Sequence, residues 1–522
     1  MVFKGYTKRD TSVIKGFGIL CIVLHNYFHW LNPSPGENEF TFSPDRIHNF
    51  FSIFAEKPDE FVNNIFSYLG HYGVQLFVLL SGFGLAVSMM NRPRTWESFV
   101  VTRLKKLYPL LLVGVLFFFL GKLVITGAMP DDVEKTEIGY KLLFIHTLIP
   151  GSGTSVSGPW WFFALILQLY LLFPYIYKWI GKWRLKAFVV LCVISYALIF
   201  LFKYVLTLNN GEIIMQNAPG HLPEFCLGIL LAIGKDKKIG VSWLLVAITV
   251  FCLGNFYAVF YPFTFLALTL IMVFAYQGLK SVFVKKTLIS RGFAYFGEIS
   301  MALFAVHCIF REPVLKFANT MTDGWGHLLS AVLFLLIVWG AALAAKALYD
   351  FVCSVLDKIH IRESRATHLL GVLSQVAICG FFVFVFGYFI SQNLKKYDTR
   401  MESAELVAES GVINKNDVFF DLIKTKIDTD MISCRVEGSF DITGIDSLSP
   451  IPQLCLEITG LSWEVIAIPE SYNTSATQKY EFTHLYQCPF NKTMKGRDFK
   501  LYILNTKNGS MKLENAEISV MY

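Results

Sequence analysis

Lys15-Gly16-Phe17-Gly18-Ile19-Leu20-Cys21-Ile22-Val23-Leu24-His25 is an uncharged run held between a cation and an imidazole. It lies inside an apolar segment at about 12–31 that closes on the aromatics Tyr27, Phe28 and Trp30. A helix needs roughly 20 apolar residues to cross a bilayer core of roughly 30 Å, and Tyr and Trp gather at the membrane interface. No small-residue cleavage site follows, so the segment is expected to stay as a helix and not to leave as a signal peptide. Lys15 then sits at one interface. His25, ten residues on, sits about 15 Å deeper at 1.5 Å per residue. An ionisable side chain at mid-depth is costly and ordinarily faces a cavity or a partner. Desolvation favours the neutral imidazole, the form a general base requires.

Further apolar segments follow at about 67–90, 107–126, 159–180, 185–207, 221–234, 241–257, 259–279, 293–315, 326–349 and 369–392. The sixth segment, 221–234, is short and begins near Pro223, so it is expected to be tilted or half-buried. Lys and Arg occupy every second connection: the N-terminus, Arg92–Lys106, Lys178–Lys186, Lys235–Lys238, Lys280–Arg291 and Lys346–Arg365. The alternate connections, such as Glu37–Glu60 and Asp131–Glu137, are acidic or neutral. Basic flanks stay cytoplasmic, so eleven crossings place the N-terminus inside and the C-terminal region outside.

Composition agrees. The chain has 522 residues, of which 54% are hydrophobic and 49 are Phe, and this excludes a soluble protein of two or three domains. The net charge of +7 is uneven: residues 395–522 hold 14 Lys and Arg against 18 Asp and Glu, and the basic excess lies on the inner flanks. That placement suits anionic lipid or a phosphorylated cytosolic ligand and argues against nucleic acid. After Asn393 the texture changes. Residues 395–416 are polar and read as a linker or short helix. From Asp417 apolar and polar residues alternate, as in Phe440-Asp441-Ile442-Thr443, with turn signals between runs, which predicts a small all-β, sandwich-like domain over 417–522. Its Trp463, Tyr472, Tyr480 and Tyr486 are candidates for stacking on sugars. Cys434, Cys455 and Cys488 are an odd set, so at most one pair can form within this region. The expected organisation is a transmembrane domain at 1–394, a linker and an extracytoplasmic β domain.

Several motifs carry chemistry. His29 lies one turn beyond His25 on the same face, a His-x-x-x-His pair with no evident third metal ligand. Gly73-Val74-Gln75-Leu76-Phe77 to Ser81-Gly82-Phe83-Gly84 begins the second segment, and its small residues suit close helix packing. His71, just before it, is expected near the outer surface. Arg103, Lys105 and Lys106 enter the third segment from the inside, where they suit phosphate binding.

Taken together these motifs resemble the acyltransferase-3 family of bacterial membrane O-acyltransferases. The resemblance rests on Lys15-Gly16 to His25, on Gly73 to Phe83 with Phe99, Arg103 and Lys106-Leu107-Tyr108-Pro109, on Trp160-Trp161-Phe162 with Gln168 to Pro174, and on Pro223-Glu224-Phe225-Cys226-Leu227-Gly228 with Gly297-Glu298-Ile299-Ser300 and His307. It covers residues 10 to about 315 and implies transfer of an acyl group, typically acetyl from acetyl-CoA, to a hydroxyl of extracytoplasmic carbohydrate. It implies that His25 is the catalytic histidine, that Lys15 stands where a basic residue precedes it, and that Arg103 and Lys106 occupy the family's basic positions. On the chemistry of such a transfer, Asn26, Gln75 or Arg103 is expected to serve the oxyanion and Lys15, Arg103 and Lys106 to bind the acyl-CoA co-substrate, with no metal. The expected partners are acyl-CoA, a cell-surface or lipid-linked glycan and membrane lipid. Two features depart from the family pattern. Nine residues separate Lys15 from His25 where ten is usual, a rotation of about 100°, and Ile166-Leu167 precede Gln168 where many members carry a glutamate. The alternative on residues alone is a transporter or flippase for a lipid-linked glycan, although the chain lacks the internal repeats common in such proteins.

Overall fold

The computed structural model describes residues 2–3 and 5–356, with breaks at 150, 206–211, 235–236, 239, 285–286 and 322, then scattered helical residues between 373 and 387 and strands between 403 and 521. Two compact units result: Met1–Leu148 with Ser152–Gly387, and Ile149–Gly151 with Tyr388–Tyr522.

The larger unit is helical: α1 (Lys8–Phe28), α2 (Asp45–Glu56), α3 (Phe61–Leu69), α4 (Gly73–Asn91), α5 (Trp96–Thr126), α6 (Asp132–Leu142), α7 (Trp161–Trp183), α8 (Leu185–Phe200), α9 (Glu212–Met215), α10 (Ala218–Ile233), α11 (Ser242–Phe256), α12 (Thr264–Val284), α13 (Leu288–Glu298), α14 (Ser300–Val306), α15 (Arg311–Ala318) and α16 (Gly324–Leu356). Among the described residues seven helical stretches are long and apolar enough to cross a membrane, and α13 with α14–α15 makes an eighth if its 60° bend is one broken span. The chain is thus a multi-pass membrane protein. The expected segment at 369–392 lies outside the described residues.

α10 differs from its neighbours. It is 16 residues long, about 24 Å at 1.5 Å per residue, too short to cross straight. Nearly every side chain in it is buried, Phe225, Cys226 and Ile229 completely. It is a central helix enclosed by α4, α7, α8 and α12, so protein and not lipid sets its length. Gly82 of α4 and Gly228 of α10 permit close contact between these two helices: a Cβ on Gly82 would lie 2.1 Å from the carbonyl oxygen of Phe225, and one on Gly228 would lie 2.0 Å from that of Leu79. Gly84, by contrast, faces open space.

The two ends of the bundle differ in charge. Thr7 caps α1 and forms a capping box with Asp10, whose carboxylate pairs with Lys280 at 2.9 Å and accepts from Tyr276 at 2.7 Å. Arg9 donates to Ser290, and the two-residue strands β1 (Val2–Phe3) and β2 (Lys237–Lys238) pair. The N-terminus therefore shares one end with the basic connections at 235–240 and 280–291. Tyr6 against Phe83, at 5.2 Å, brings the last turns of α4 to that end too. At the opposite end Asp59 accepts from Gly324 N–H and Tyr261 donates to the Glu39 carbonyl, so the acidic connection at 37–60 meets the start of α16 and the turn before α12 there.

The smaller unit is all-β: β3 (Ser403–Val407), β4 (Gly411–Ile413), β5 (Phe419–Lys426), β6 (Ser433–Thr443), β7 (Gln453–Ile458), β8 (Ser462–Ile466), β9 (Thr477–Gln487), β10 (Asp498–Leu504) and β11 (Met511–Met521). One antiparallel sheet runs β5-β10-β7-β8, and the other β3-β11-β6-β9 with β4 also on β11. Both sheets contribute to one core, including Phe440, Ile442, Leu454, Leu501 and Val520. Two expectations change. Residues 395–416 include the strands β3 and β4, because β11 is long enough to pair with both in succession. Tyr480 and Tyr486 are buried core residues and not sugar-facing ones. Cys434 and Cys455 are buried as well, and Cys488 lies outside the described residues.

Candidate active site

His25 is placed by a break between two helices. α3 ends at Leu69, Gly70–Tyr72 makes a tight 3-10 turn, and α4 starts at Gly73. The turn presses on α1. A Cβ on Gly70 would lie 2.7 Å from both the Cys21 carbonyl oxygen and the His25 Cβ, so only glycine fits without movement. The approach delivers carbonyls from the last turn of α3, of which Phe66 O already accepts from Gly70 N–H. His25 Nδ1 lies 3.2 Å from the Phe66 oxygen and 3.1 Å from the Ser67 oxygen. Carbonyls only accept, so Nδ1 carries the hydrogen and Nε2 keeps its lone pair. The negative end of the α3 dipole faces the ring, which favours it when it becomes imidazolium.

A buried polar chain holds this turn. Ser67 Oγ donates to Asn63 Oδ1, and Asn63 Nδ2 donates to Glu60 Oε2. Glu60 Oε1 meets His327 Nδ1 at 2.7 Å. Ser330 donates to the His327 carbonyl, and Tyr27 of α1 donates to Ser330. The chain thus leaves α1 at His25, passes through α3 to α16, and returns to α1 two residues on.

Around His25 the rings cluster. His29 stacks on it at 4.8 Å and donates from Nδ1 to its carbonyl. His71 is not at the surface, as its position in sequence suggests. The α3–α4 break folds it inward, 5.6 Å from His25 and 1% exposed, with no hydrogen-bond partner on either nitrogen. Gln75 lies one turn along α4, buried, with Oε1 unpartnered. His307 Nε2 and both Glu224 oxygens are also buried without partners. A buried unsatisfied polar group costs about 1–3 kcal/mol, and a polar substrate beside His25 would relieve that cost at His71, its ring neighbour.

The loop after α1 closes over this cluster. A ring nitrogen of His25 and carboxylate oxygens of Glu37 and Glu39 lie within 4.8 Å of one another. Burial pushes the Glu37 carboxyl up to about 7, with the charge of Arg46 opposing it.

The other expected site residues separate into two groups. Asn26 is tied back: its Nδ2 donates to Ile22 O, and its carbonyl accepts from Arg311. Arg103 donates to Ser88 and lies 5.3 Å over Phe99, with Nε buried and unpartnered. Ser88 is 13 residues beyond Gln75 on α4, about 20 Å at 1.5 Å per residue. Arg103, the exposed Lys106 and the half-buried Lys15 therefore belong to the basic end and not to the His25 cluster.

The family model described as an acyltransferase domain matches residues 12–350. The chain belongs to the acyltransferase-3 family. No curated protein and no solved structure matches it significantly. Membership in the acyltransferase-3 family makes the protein a membrane acyltransferase that consumes an acyl donor, and it decides between the enzyme and transporter readings. The matched residues begin within the first turns of α1, include His25, the α3–α4 break and the Glu37–Glu39 loop, and end within α16. Glu37, Glu39, Arg311 and the Glu60–His327 pair were not foreseen in the sequence. The available signal was an acidic pair in Gly36-Glu37-Asn38-Glu39-Phe40, a few residues after two histidines.

Proposed function

We propose that the protein moves an acyl group, acetyl in the simplest case, from cytosolic acyl-CoA to a hydroxyl of an extracytoplasmic carbohydrate, with His25 as general base. The observation that carries this reading is the pinned imidazole: Nδ1 is committed to two carbonyls, and Nε2 is left for a hydroxyl proton. The acceptor oxygen attacks the thioester carbonyl carbon while Nε2 takes its proton. The carbon–sulfur bond breaks, and the thiolate recovers the proton from the imidazolium. Ester and CoA thiol leave, and His25 is neutral again. Gln75 is the amide best placed to serve the oxyanion, since Arg103 lies near the far end of α4.

In this reading the basic end is cytoplasmic and holds the CoA phosphates through Arg103 and Lys106, with Lys15 on the path inward. The pantetheine arm runs up the bundle to His25, and the acidic end opens to the glycan. Acyl decoration of surface polysaccharide, made from the inner membrane, is the expected outcome in the cell. Eleven crossings then put the β unit outside, where it holds the glycan, as the alternation of basic connections requires. A phosphatase fused after Tyr522 should be active and a fluorescent protein there dark; the reverse pattern would refute this orientation.

The donor site has its own test. Arg103→Ala removes a charged contact far from the reacting carbonyl, which resembles uniform binding. Steady-state kinetics should show the acyl-CoA KM rising about tenfold or more with kcat little changed. A fall in kcat at constant KM would place Arg103 at the chemistry instead. The reaction as a whole is tested by acetyl-CoA hydrolysis in detergent together with the ester content of envelope glycan with and without the gene.

A further inference from the structure

We propose that Glu37 and Glu39 form the acceptor wall of the active site, where their carboxylates take hydrogen bonds from acceptor hydroxyls and hold one of them against His25 Nε2. The proposal rests on the acyl-transfer reading above. Three observations support it.

The loop is pinned from behind. Arg46 donates to the carbonyls of Glu37, at 2.6 Å, and Thr41, at 2.7 Å, and to Asn38 Oδ1 and Thr41 Oγ1. Tyr261 donates to the Glu39 carbonyl, and Phe40 packs edge-on against Trp161. These contacts fix the backbone through residues 37–41, while the two carboxylates reach within 4.8 Å of the His25 ring nitrogen. Second, His71 stands beside the same ring, buried and unpartnered on both nitrogens, so the pocket already contains polar capacity that no protein group uses. Third, the chemistry suits a polyol. Carboxylates accept short, strong hydrogen bonds from hydroxyls, and a Glu37 carboxyl near half-protonation at neutral pH can also donate. Such a wall selects vicinal hydroxyls and disfavours an anionic acceptor.

The same donor set would suit a divalent cation. The pinned tautomer would serve a cation on Nε2 equally well, but such a cation would take the lone pair that the acyl-transfer reading needs, so the acceptor role is the one compatible with that reading.

The test compares Glu37→Gln and Glu39→Gln, which keep shape and remove charge, with Asp45→Asn on the exposed surface nearby. Two rates are read: incorporation of radiolabelled acetyl from acetyl-CoA into envelope glycan in membrane vesicles, and acetyl-CoA hydrolysis by purified protein in detergent. Each Glu→Gln change should lower glycan transfer by about 10- to 100-fold and hydrolysis by less than about threefold, because water needs no acceptor wall. Asp45→Asn should change neither. Unchanged glycan transfer in both Glu variants overturns the proposal. Equal loss of both rates in a monodisperse variant also overturns it, because the carboxylates would then act on His25 itself. One tightly held divalent ion per wild-type chain, lost in Glu37→Gln, overturns it in favour of a metal site. If the wild type fails to hydrolyse acetyl-CoA and His25→Ala leaves glycan transfer unaltered, the acyl-CoA reading itself falls.

Discussion

His25→Ala should abolish acyl transfer while the protein still inserts and elutes as a single species. The ring donates to two α3 carbonyls through Nδ1, and in the proposed reaction Nε2 is the atom that meets the acceptor. A methyl group can neither take the hydroxyl proton nor meet the end of the α3 dipole. General-base catalysis alone contributes roughly 10²–10⁴-fold, so transfer should fall by about a thousandfold. His29→Ala is the internal comparison. It removes the stacking ring and a hydrogen bond to the His25 carbonyl, but not the base, and should lose about tenfold or less. The measurement is the initial rate of acetyl-CoA hydrolysis and of glycan acetylation for both variants at matched protein. Near-wild-type rates in a well-folded His25→Ala protein would remove His25 from the chemistry.

Gly70→Ala should be almost as damaging, although no functional atom is deleted. The new methyl would lie 2.7 Å from the His25 Cβ and from the Cys21 oxygen, so α1 and the Gly70–Tyr72 turn must separate. Overpacking of this kind costs about 1–3 kcal/mol. A displacement near 1 Å at a reacting group can cost roughly 10²-fold in rate, and the same shift pulls Phe66 and Ser67 away from Nδ1. Transfer should fall by about a hundredfold with only a modest loss of thermal stability in detergent. Gly84→Ala, on the same helical segment but facing open space, should change neither. Equal activity of the Gly70→Ala and Gly84→Ala proteins would show that the close approach at His25 is not needed.

Much of the membrane architecture was legible in the chain, because a bilayer imposes a single-variable test on sequence: length of apolar run. The first ten expected segments each coincide with a helix or a bent pair, and the basic connections at the N-terminus, 235–240 and 280–291 gather at one end as their charge requires. The alternation at Phe440–Thr443 likewise marked strand β6, since period two is visible without knowing the partner strand. The short run at 221–234 was legible only as an anomaly. Its burial by four neighbouring helices, and so its freedom from the length rule, is a property of the packing.

The candidate site divides along the same line. His25 stood out in sequence because an imidazole at mid-membrane depth violates the local rule for apolar helices, and Arg103 and Lys106 because charge at a helix entry is visible in one dimension, although the structure sets those two at the basic end, apart from the His25 cluster. Glu37, Glu39 and Glu60 carry no such violation where they stand in sequence, because they fall in a connection that looks polar and solvated, and His71 and His327 stand near the ends of apolar segments, where a histidine at the interface is unremarkable. A 3-10 turn folds His71 inward, and Arg46 and Tyr261 draw the acidic loop over the bundle. By itself the sequence determined the class of fold, the charged end and the histidine at mid-depth. Tertiary structure alone decided what surrounds that histidine, because those groups come from α3, α4, α16 and a loop whose contacts depend on close packing between helices rather than on any periodicity along the chain.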